Sequence, residues 1–374
     1  MRVSTKFSKF FISEIISVVI GVVFWVILAW QVEPGEYGEI QFLVGIASIA
    51  STIGLVGAGP TIVVSLAKKV PIQSNLILLS ITMGGILFPI TYFIFNRYDI
   101  GTLLYGMIFF QLSVGILQGK QEYSRYFNYL IAQKIIFVVV AEVFLFLFGI
   151  EFIIFAFSIS YIIFINILLK EFRVTNLDMN LVKEKSFFVL NNYIITLFSI
   201  ARDNIDKLII VPVLGYVILG NYSLALQAIL LLSSVITIIN KYALPILSTK
   251  TDAGQFLRVS FFISLPLLAI GYFVMPIVIE LLFHKYEHTI ETIKILSFSI
   301  PAYSLVTAYN TRLFAIEKSK FVLIGLIVFV SILTPLMLYF GSSYGINGVS
   351  YSYVISIYVH SAVLYMFNRI NKKQ

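Results

Sequence analysis

The sequence predicts an all-α polytopic membrane protein with about twelve transmembrane helices. Of the 374 residues, 59% are hydrophobic and only 12% are charged, and the mean hydropathy is +0.98. Soluble domains carry roughly 25% charged residues, so this chain has too few charges to cover a surface that faces water. A bilayer core about 30 Å thick is crossed by about 20 apolar residues of helix. Twelve stretches of the sequence meet that length.

The predicted spans alternate with short polar connections. Those in the first half are Phe10–Gln31, Ile40–Ala67, Ile72–Phe95, Gly101–Gln118, Tyr129–Gly149 and Ile150–Leu169. Those in the second half are Phe187–Val213, Gly220–Leu247, Phe256–Phe283, Thr289–Ile316, Phe321–Phe340 and Gly345–Phe367. The apolar stretch of the first span exceeds the 7–15 residues of a signal-peptide core, so we expect it to be retained.

The positions of the basic residues predict the orientation. Of the 26 Lys and Arg residues, 21 fall on one side, which includes both termini. Arg97, Lys285 and Lys294 fall on the other side, and Arg202 and Lys207 lie within a span. The positive-inside rule therefore places both termini in the cytoplasm. Lys134 and Lys241 are close enough to the cytoplasmic ends of their spans to reach the interface.

Composition also excludes several classes of function. The basic residues are divided among short loops, so no basic face is available to follow a nucleic-acid backbone. Cysteine is absent, which excludes a disulfide framework and thiolate catalysis. His284 and His288 share one loop without a matching set of carboxylates, so we expect no metal site.

An internal repeat divides the chain into two halves. A shift of 185 residues aligns seven identical pairs, which include Gly35 with Gly220, Tyr37 with Tyr222 and Pro60 with Pro245. Six spans, an even number, separate the repeats, so the halves have the same orientation about an axis along the membrane normal. We predict an N-terminal lobe of residues 1–170, a cytoplasmic linker of residues 171–186 and a C-terminal lobe of residues 187–374.

Three motifs resemble those of a known family. They are Val32-Glu33-Pro34-Gly35-Glu36-Tyr37-Gly38, Asp206-Lys207 followed by Leu219-Gly220-Asn221-Tyr222-Ser223-Leu224-Ala225, and Tyr344-Gly345-Ile346-Asn347-Gly348. In order and spacing they are similar to the polysaccharide flippases, the O-antigen branch of the multidrug/oligosaccharidyl-lipid/polysaccharide (MOP) exporter superfamily. The resemblance implies a MATE-like fold of two six-helix bundles around a central cavity, operating by alternating access.

The resemblance also implies a substrate and a setting. The substrate would be an undecaprenyl-diphosphate-linked oligosaccharide, moved from the cytoplasmic to the outer leaflet of the bacterial inner membrane during lipopolysaccharide assembly. The implied partners are this lipid-linked oligosaccharide, membrane lipids, and a glycan polymerase with its chain-length machinery. No organic cofactor is implied, and coupling to an H⁺ or Na⁺ gradient is left open.

Charged residues within a span are the main candidates for a substrate site, because each costs roughly 2.5–3.5 kcal/mol at a helix centre on insertion scales. Arg202, Asp203, Asp206 and Lys207 cluster in the seventh span, with i,i+4 spacing between opposite charges. One hypothesis is that Arg202 and Lys207 line a cavity and attract a diphosphate, with the acids balancing them in the empty state. The alternative is an ion-pair lattice that holds one lobe together.

Two acids and two prolines have weaker signals. Glu142 and Glu14 lie within the fifth and first spans and are candidates for ion coupling, or for structural and interfacial roles. Pro60 and Pro245, which align in the repeat, are candidates for helix bends during transport, or for simple packing kinks.

Three other functions compete with the flippase hypothesis. An ion-coupled multidrug or cation antiporter of the same superfamily would need an acidic cavity. A membrane-embedded glycan polymerase would need a metal or base held over an acceptor, whereas the acidic turn around Glu33 and Glu36 is short and exposed to water. A scaffolding role is the third alternative.

The orientation is directly testable. Reporter fusions after Lys69, Ser186 and Lys320 should report the cytoplasm, whereas fusions at Gly35 and His284 should report the outer side. Alkaline phosphatase and fluorescent-protein fusions measure this. Reversed signals at two or more of these positions would rule out the twelve-span topology.

Overall fold

The structure, a computed structural model, consists of helices joined by short turns. It describes residues 5–174, 177–247, 253–316 and 318–370, with the side chains of residues 16–173, 177–178, 180–237, 257–316 and 318–370. Sixteen α-helices lie in these ranges: α1 Thr5–Gln31, α2 Pro34–Leu55, α3 Ala58–Ala67, α4 Gln73–Phe95, α5 Tyr98–Gly119, α6 Tyr123–Phe148, α7 Ile153–Ser160, α8 Ile165–Val174, α9 Met179–Glu184, α10 Ser186–Leu214, α11 Tyr216–Leu247, α12 Ala253–Ala269, α13 Met275–Leu282, α14 Thr289–Ser297, α15 Ser299–Ala315 and α16 Ser319–Ile370.

The helix lengths confirm the predicted fold class. In the described part of the chain, eight helical segments are long and apolar enough to cross a membrane. One of them, α16, has 52 residues, about 78 Å at 1.5 Å per residue, which allows two crossings. It turns at Gly345, where φ is +58°, a conformation that glycine adopts without strain. Helices α1 and α10, and α14 with α15, account for the other predicted spans.

The structure also differs from the predicted spans. The second span is two helices, α2 and α3, because the chain turns at Val56 and Gly57, both with positive φ. The ninth span contains a π-helix, Ile270–Val274, between α12 and α13. The sixth is divided by short 3₁₀ turns around α7. These interruptions leave the hydrophobic pattern unchanged, so the pattern does not reveal them.

The chain divides into two compact units. Unit 1 comprises Met1–Gly21 and Leu43–Asn204, and unit 2 comprises Val22–Phe42 and Ile205–Gln374. The boundaries between them fall inside α1, α2 and α10. The two lobes predicted from the repeat are defined by sequence correspondence, and they stay a prediction. They comprise residues 1–170 and 187–374, with a linker at 171–186.

In unit 1, α5 is the central helix, with α3, α4 and α7 packed against it. Its buried side chains include Leu104, Ile108 and Leu112, none of them exposed. At Gly115 and Gly119 the helix approaches the backbone of α3 closely: a Cβ atom built on Gly115 would lie 3.0 Å from the backbone oxygen of Gly59. Small residues at such crossings allow membrane helices to pack backbone to backbone.

A polar network joins the ends of α4, α5 and α8 in unit 1. Lys120 Nζ donates to both carboxylate oxygens of Glu171, at 2.6 and 2.7 Å. Gln73 Nε2 donates to the same carboxylate at 3.5 Å, and Ser74 Oγ donates to the backbone oxygen of Glu171 at 3.3 Å. Glu171 is buried, so these donors offset the cost of removing its charge from water. The first residue of the predicted linker is thus part of the packed helix α8.

The break between α2 and α3 releases carbonyl groups that other helices then satisfy. Tyr193 Oη of α10 donates to the backbone oxygen of Ile53 at 3.4 Å, and Ser80 Oγ of α4 donates to that of Leu55 at 3.3 Å. Gly57 permits the turn, and a Cβ atom there would lie 2.6 Å from the backbone oxygen of Val189. Backbone groups freed inside a membrane protein need such partners, because lipid provides none.

In unit 2, α15 packs against α11, α12 and α16. The π-helix lies beside α14, where a Cβ atom on Gly271 would lie 2.5 Å from Ser297 Oγ. Leu313, Leu333 and Met337 are among the fully buried side chains of this core.

Two motif glycines allow α2 and α11 to cross at close range in unit 2. A Cβ atom on Gly38 would overlap the backbone oxygen of Tyr216, and one on Gly220 would overlap that of Pro34. The arrangement is reciprocal, because each glycine meets the residue four positions before the other glycine. Close backbone approach at small residues is a common way for membrane helices to pack. The glycines of the first and second motifs therefore form a helix crossing.

Tyr37, the motif residue next to Gly38, packs among aromatic side chains. It is fully buried, and its ring packs edge-on against Trp25 and Tyr286, with centroid distances of 6.2 and 6.1 Å. Tyr286 Oη donates to the backbone oxygen of Val32 at 3.5 Å. Burial raises the pKa of the Tyr286 hydroxyl well above its ordinary value, and the nearby Glu33 carboxylate adds to the effect. Tyr286 therefore stays protonated and able to donate.

Substituting the crossing glycines should destabilise the protein. Gly38→Ala and Gly220→Ala should each lower the free energy of unfolding by about 1–3 kcal/mol, the usual cost of overpacking, because their new methyl groups meet backbone atoms. The combined change should be non-additive, since both act on one contact. Thermal and denaturant unfolding in detergent measures this.

Gly59→Ala is the matched control, because no atom lies within 4 Å of the position of its Cβ. The preference of helices for alanine is opposed here by the ring of Pro60, which crowds the Cβ atom of the residue before it. The Gly59→Ala variant should therefore lose less stability than Gly38→Ala or Gly220→Ala. Equal stability of all three single variants would contradict the close crossing.

Candidate functional site

Helix α10 carries the charge cluster predicted from the sequence. Arg202 is the seventeenth residue of this helix, about 24 Å from its first residue at 1.5 Å per residue. In unit 1, Arg202 Nε donates to Asp203 Oδ1 at 2.8 Å. The two side chains are 34% and 53% exposed, so this pair faces an open space and not the packed core.

The other half of the cluster belongs to unit 2 and is buried. Lys207 Nζ lies 3.4 Å from Asp206 Oδ1, and the two side chains are 12% and 6% exposed. Asp206 Oδ1 also accepts from the backbone nitrogen of Lys207 at 2.8 Å. The observed ion pairs of the cluster join sequence neighbours. The i,i+4 pairs expected from spacing, and the binding role of these four residues, stay predictions.

A different residue, Lys134 of α6, directs its amine towards α1. In unit 1, a Cβ atom built on Gly21 of α1 would lie 3.8 Å from Lys134 Nζ. Gly21 is the twelfth of the 22 residues of the predicted first span, about 16 Å from its start, which is close to mid-membrane. Among the side chains that the structure describes, no carboxylate is within ion-pair distance of this amine. An unpaired charge at such a depth marks a functional site more often than a structural one.

The position of the Lys134 amine differs from the one expected from the sequence. The lysine was expected to reach the cytoplasmic interface, because Lys134 is only five residues from the start of the predicted fifth span. The side chain is instead directed to α1, and α6 begins at Tyr123, six residues before the predicted span. The direction of a flexible side chain depends on which helix packs beside it, which one sequence does not show. Lys241 lies outside the side chains that the structure describes.

The ion-coupling candidates have different outcomes. Glu142 lies on α6, eight residues after Lys134, is partly buried and takes part in an interaction within the structure. Glu14 belongs to α1, but its side chain lies outside the described residues. Their coupling roles stay predictions.

The two helix-bend candidates also differ. Pro60 is the third residue of α3, a position whose backbone nitrogen has no partner within the helix. Pro60 therefore removes no hydrogen bond from the helix. The turn at Val56 and Gly57 comes before it in the chain. Pro245 lies in α11, but its side chain is outside the described residues. Bending at either position during transport stays a prediction.

The acidic turn before α2 has structural partners. Glu36 Oε2 accepts from the backbone nitrogen of Glu33 at 3.0 Å, which caps the first turn of the helix. Lys285 Nζ lies 2.7 Å from Glu33 Oε1, with both side chains at least half exposed. Within the described residues, no group of three or more His, Asp and Glu side chains is placed to hold a metal ion.

Comparison with known proteins identifies the fold. No protein-family model matches the sequence, and no curated protein matches it. Among solved structures, the lipid II flippase MurJ in an inward closed conformation aligns with a TM-score of 0.78 and 14% identity, covering 96% of this chain and 87% of MurJ.

Two structures of a multidrug resistance MATE family transporter of the MOP superfamily are also similar. The inward-facing conformation aligns with a TM-score of 0.76 and 13% identity, covering 96% of this chain and 94% of that one. The outward-facing conformation has a TM-score of 0.69 and 15% identity, over 98% and 95% of the two chains. The chain thus has the all-α, polytopic membrane fold that MATE transporters share with MurJ.

The unpaired state of Lys134 predicts opposite effects for two identical substitutions. Lys134→Met should raise the free energy of unfolding by about 1–3 kcal/mol, because it replaces an unpaired interior charge with an apolar side chain. Lys207→Met should lower it by about 3–5 kcal/mol, because Asp206 would then be buried without its cation. Denaturant unfolding in detergent measures both. A loss of stability in Lys134→Met as large as that in Lys207→Met would show that Lys134 is paired.

Proposed function

We propose that this protein is a flippase for an undecaprenyl-diphosphate-linked oligosaccharide. It moves this substrate from the cytoplasmic to the outer leaflet by alternating access, without changing its covalent structure. The observation that carries the proposal is the unpaired amine of Lys134 beside Gly21, at the middle of the predicted first span. The shared fold with a lipid II flippase supports the same class of substrate.

The electrostatic argument concerns the diphosphate. Moving an isolated anion from water into a medium of low dielectric constant costs tens of kcal/mol by Born solvation, while a polyprenyl tail stays in lipid at no such cost. A transport protein must therefore replace the hydration of the diphosphate by fixed positive charge along the path. Lys134 offers a cation that no carboxylate among the described side chains neutralises.

Arg202 is the second residue that we assign to the substrate. Its pair with Asp203 is partly exposed, so an incoming phosphate has access to the guanidinium. The planar guanidinium is suited to phosphate because it donates two parallel hydrogen bonds. Asp203 neutralises Arg202 when no substrate is bound. On binding, the phosphate replaces Asp203 as the partner of the guanidinium.

A multidrug or cation antiporter is the second candidate, because several structures with this fold are multidrug transporters. A cationic substrate requires an unneutralised acid in the interior. Asp203 and Asp206 each have a basic neighbour, and the interior cation Lys134 would repel a cationic drug. The charge distribution therefore favours an anionic substrate.

The remaining features of the proposal follow from the flippase assignment. The protein resides in the bacterial inner membrane with both termini in the cytoplasm, as the basic residues indicate. It acts between the enzymes that assemble the lipid-linked unit and a polymerase with its chain-length machinery. Glu142 and Glu14 are the residues we propose for coupling if an H⁺ or Na⁺ gradient drives transport.

Reconstitution tests the proposal. Proteoliposomes should move a fluorescently labelled undecaprenyl-diphosphate-linked saccharide between leaflets, as measured by loss of fluorescence on adding a membrane-impermeant quencher. Lys134→Met should slow this about tenfold or more, the effect of losing one charged hydrogen bond. Lys134→Arg should retain most of the rate, and Arg202→Ala should be slowed more than Arg202→Lys.

Two controls separate transport from stability and from other chemistry. Lys68→Met removes an exposed lysine and should leave the rate unchanged. Mass spectrometry of the recovered lipid should show an unaltered saccharide. A lengthened or cleaved glycan, or export of ethidium in preference to the lipid-linked saccharide, would contradict the flippase assignment, as would full activity of Lys134→Met.

A further inference from the structure

Unit 2 contains a cavity that the transport proposal does not use. Its volume is about 520 Å³, within the range of roughly 300–1,000 Å³ typical of small-molecule sites. It lies between the π-helix, α14 and the part of α16 that follows Gly345. The residues that determine its chemistry are Tyr272, Glu291, Lys294, Phe298, Asn347 and Tyr351.

The polar side chains of the cavity are Glu291, Lys294 and Asn347, and no ion pair is observed between Glu291 and Lys294 in the described part of the chain. Asn347 Nδ2 donates to Glu291 Oε2 at 2.8 Å, which leaves the other carboxylate oxygen of Glu291 available. Asn347 Oδ1 is buried and accepts no hydrogen bond. Lys294, one turn after Glu291 on the same face of α14, has no ion pair among the described side chains. The site thus offers one carboxylate oxygen of Glu291 as an acceptor and the amine of Lys294 as a cation, while Asn347 holds the carboxylate.

The walls of the cavity are aromatic. Tyr272 and Phe298 pack edge-on with their centroids 5.7 Å apart, and Phe298 and Tyr351 are 46% and 52% exposed. Aromatic faces attract ammonium groups through their quadrupoles. The π-helix places Tyr272 here, and short π-helices inside α-helices occur frequently at functional sites.

The position along the helices indicates the depth of the site. Glu291 is in the first turn of α14, and Asn347 is two residues after the turn at Gly345. Both are therefore at the ends of spans, where lipid head groups lie. Tyr339 and Tyr344 near the same turn are each 67% exposed, and exposed tyrosines at span ends are typical of the membrane interface.

We propose that this cavity binds the head group of phosphatidylethanolamine. The primary ammonium donates to the carboxylate of Glu291 beside the aromatic walls, and the phosphate contacts Lys294. Asn347 holds that carboxylate in place through its hydrogen bond. A phosphatidylglycerol head group has no cation for Glu291, and the quaternary ammonium of phosphatidylcholine has no N–H to donate. A neutral sugar carries no charges to match Glu291 and Lys294. Of these head groups, the ethanolamine zwitterion is the one that offers an N–H-bearing cation to Glu291 and an anion to Lys294.

Native mass spectrometry of the purified full-length protein tests this. With equal concentrations of phosphatidylethanolamine, phosphatidylcholine and phosphatidylglycerol of identical acyl chains, the ethanolamine lipid should be retained about tenfold more, as expected for one extra charged hydrogen bond. Equal retention of the three lipids by the parent protein would overturn the proposal.

Variants locate the site. Glu291→Gln should abolish the preference for phosphatidylethanolamine over phosphatidylcholine, and Lys294→Met should lower retention of every phospholipid. Glu287→Gln makes the same charge change four residues before Glu291, at an exposed position outside the cavity, and should retain the preference. The assignment would be overturned if Glu291→Gln and Lys294→Met, tested separately, both retained the preference for phosphatidylethanolamine. Displacement of the lipid by soluble methyl glycosides would overturn it as well. Flipping activity is not required for this measurement, so its outcome is independent of the proposed function.

Discussion

The need to satisfy every backbone amide and carbonyl inside the membrane constrains the whole structure. Lipid offers no hydrogen bonds, so a chain this apolar must be helical wherever it crosses the bilayer. The same constraint explains the departures from helix. Where α2 ends at Leu55, Tyr193 and Ser80 donate to the freed carbonyl groups. This interruption is thus located where neighbouring helices supply side-chain donors.

Charge inside the membrane is subject to a second constraint, and the protein meets it by pairing. Asp206 and Lys207 form a pair that is mostly buried, and Arg202 lies beside Asp203. At the ends of α5 and α8, Lys120 likewise binds Glu171. Against this pattern, an interior lysine without a carboxylate partner is a cost in stability. Function explains a residue that lowers stability better than packing does. For this reason the proposed function rests on Lys134.

Much of the fold was predictable because hydrophobic length and period are local properties. The all-α polytopic architecture was accessible from composition and span length, and the last predicted span begins at Gly345, where α16 turns. Gly38 and Gly220 were visible only as members of motifs. The contacts that explain those glycines could not be predicted from the sequence, because they join α2 to α11 across about 180 residues. The break at Val56 and Gly57 divides the second predicted span without changing its hydrophobic pattern, so that pattern could not locate the break.

The candidate sites were less predictable, because they depend on side-chain direction. The cluster of charges on α10 was visible in the sequence, but its pairing was not, and Lys134 was assigned to the interface. Glu291 and Asn347 are separated by 56 positions in the sequence, and nothing local indicates that they meet. Their contact nevertheless has a clear consequence. It uses a donor of Asn347 on one acid and leaves one carboxylate oxygen of Glu291 at the cavity, whereas Lys134 is near no carboxylate among the described side chains. On the two proposals, these places bind groups of opposite charge: an ammonium at the end of the spans, and a phosphate in the interior.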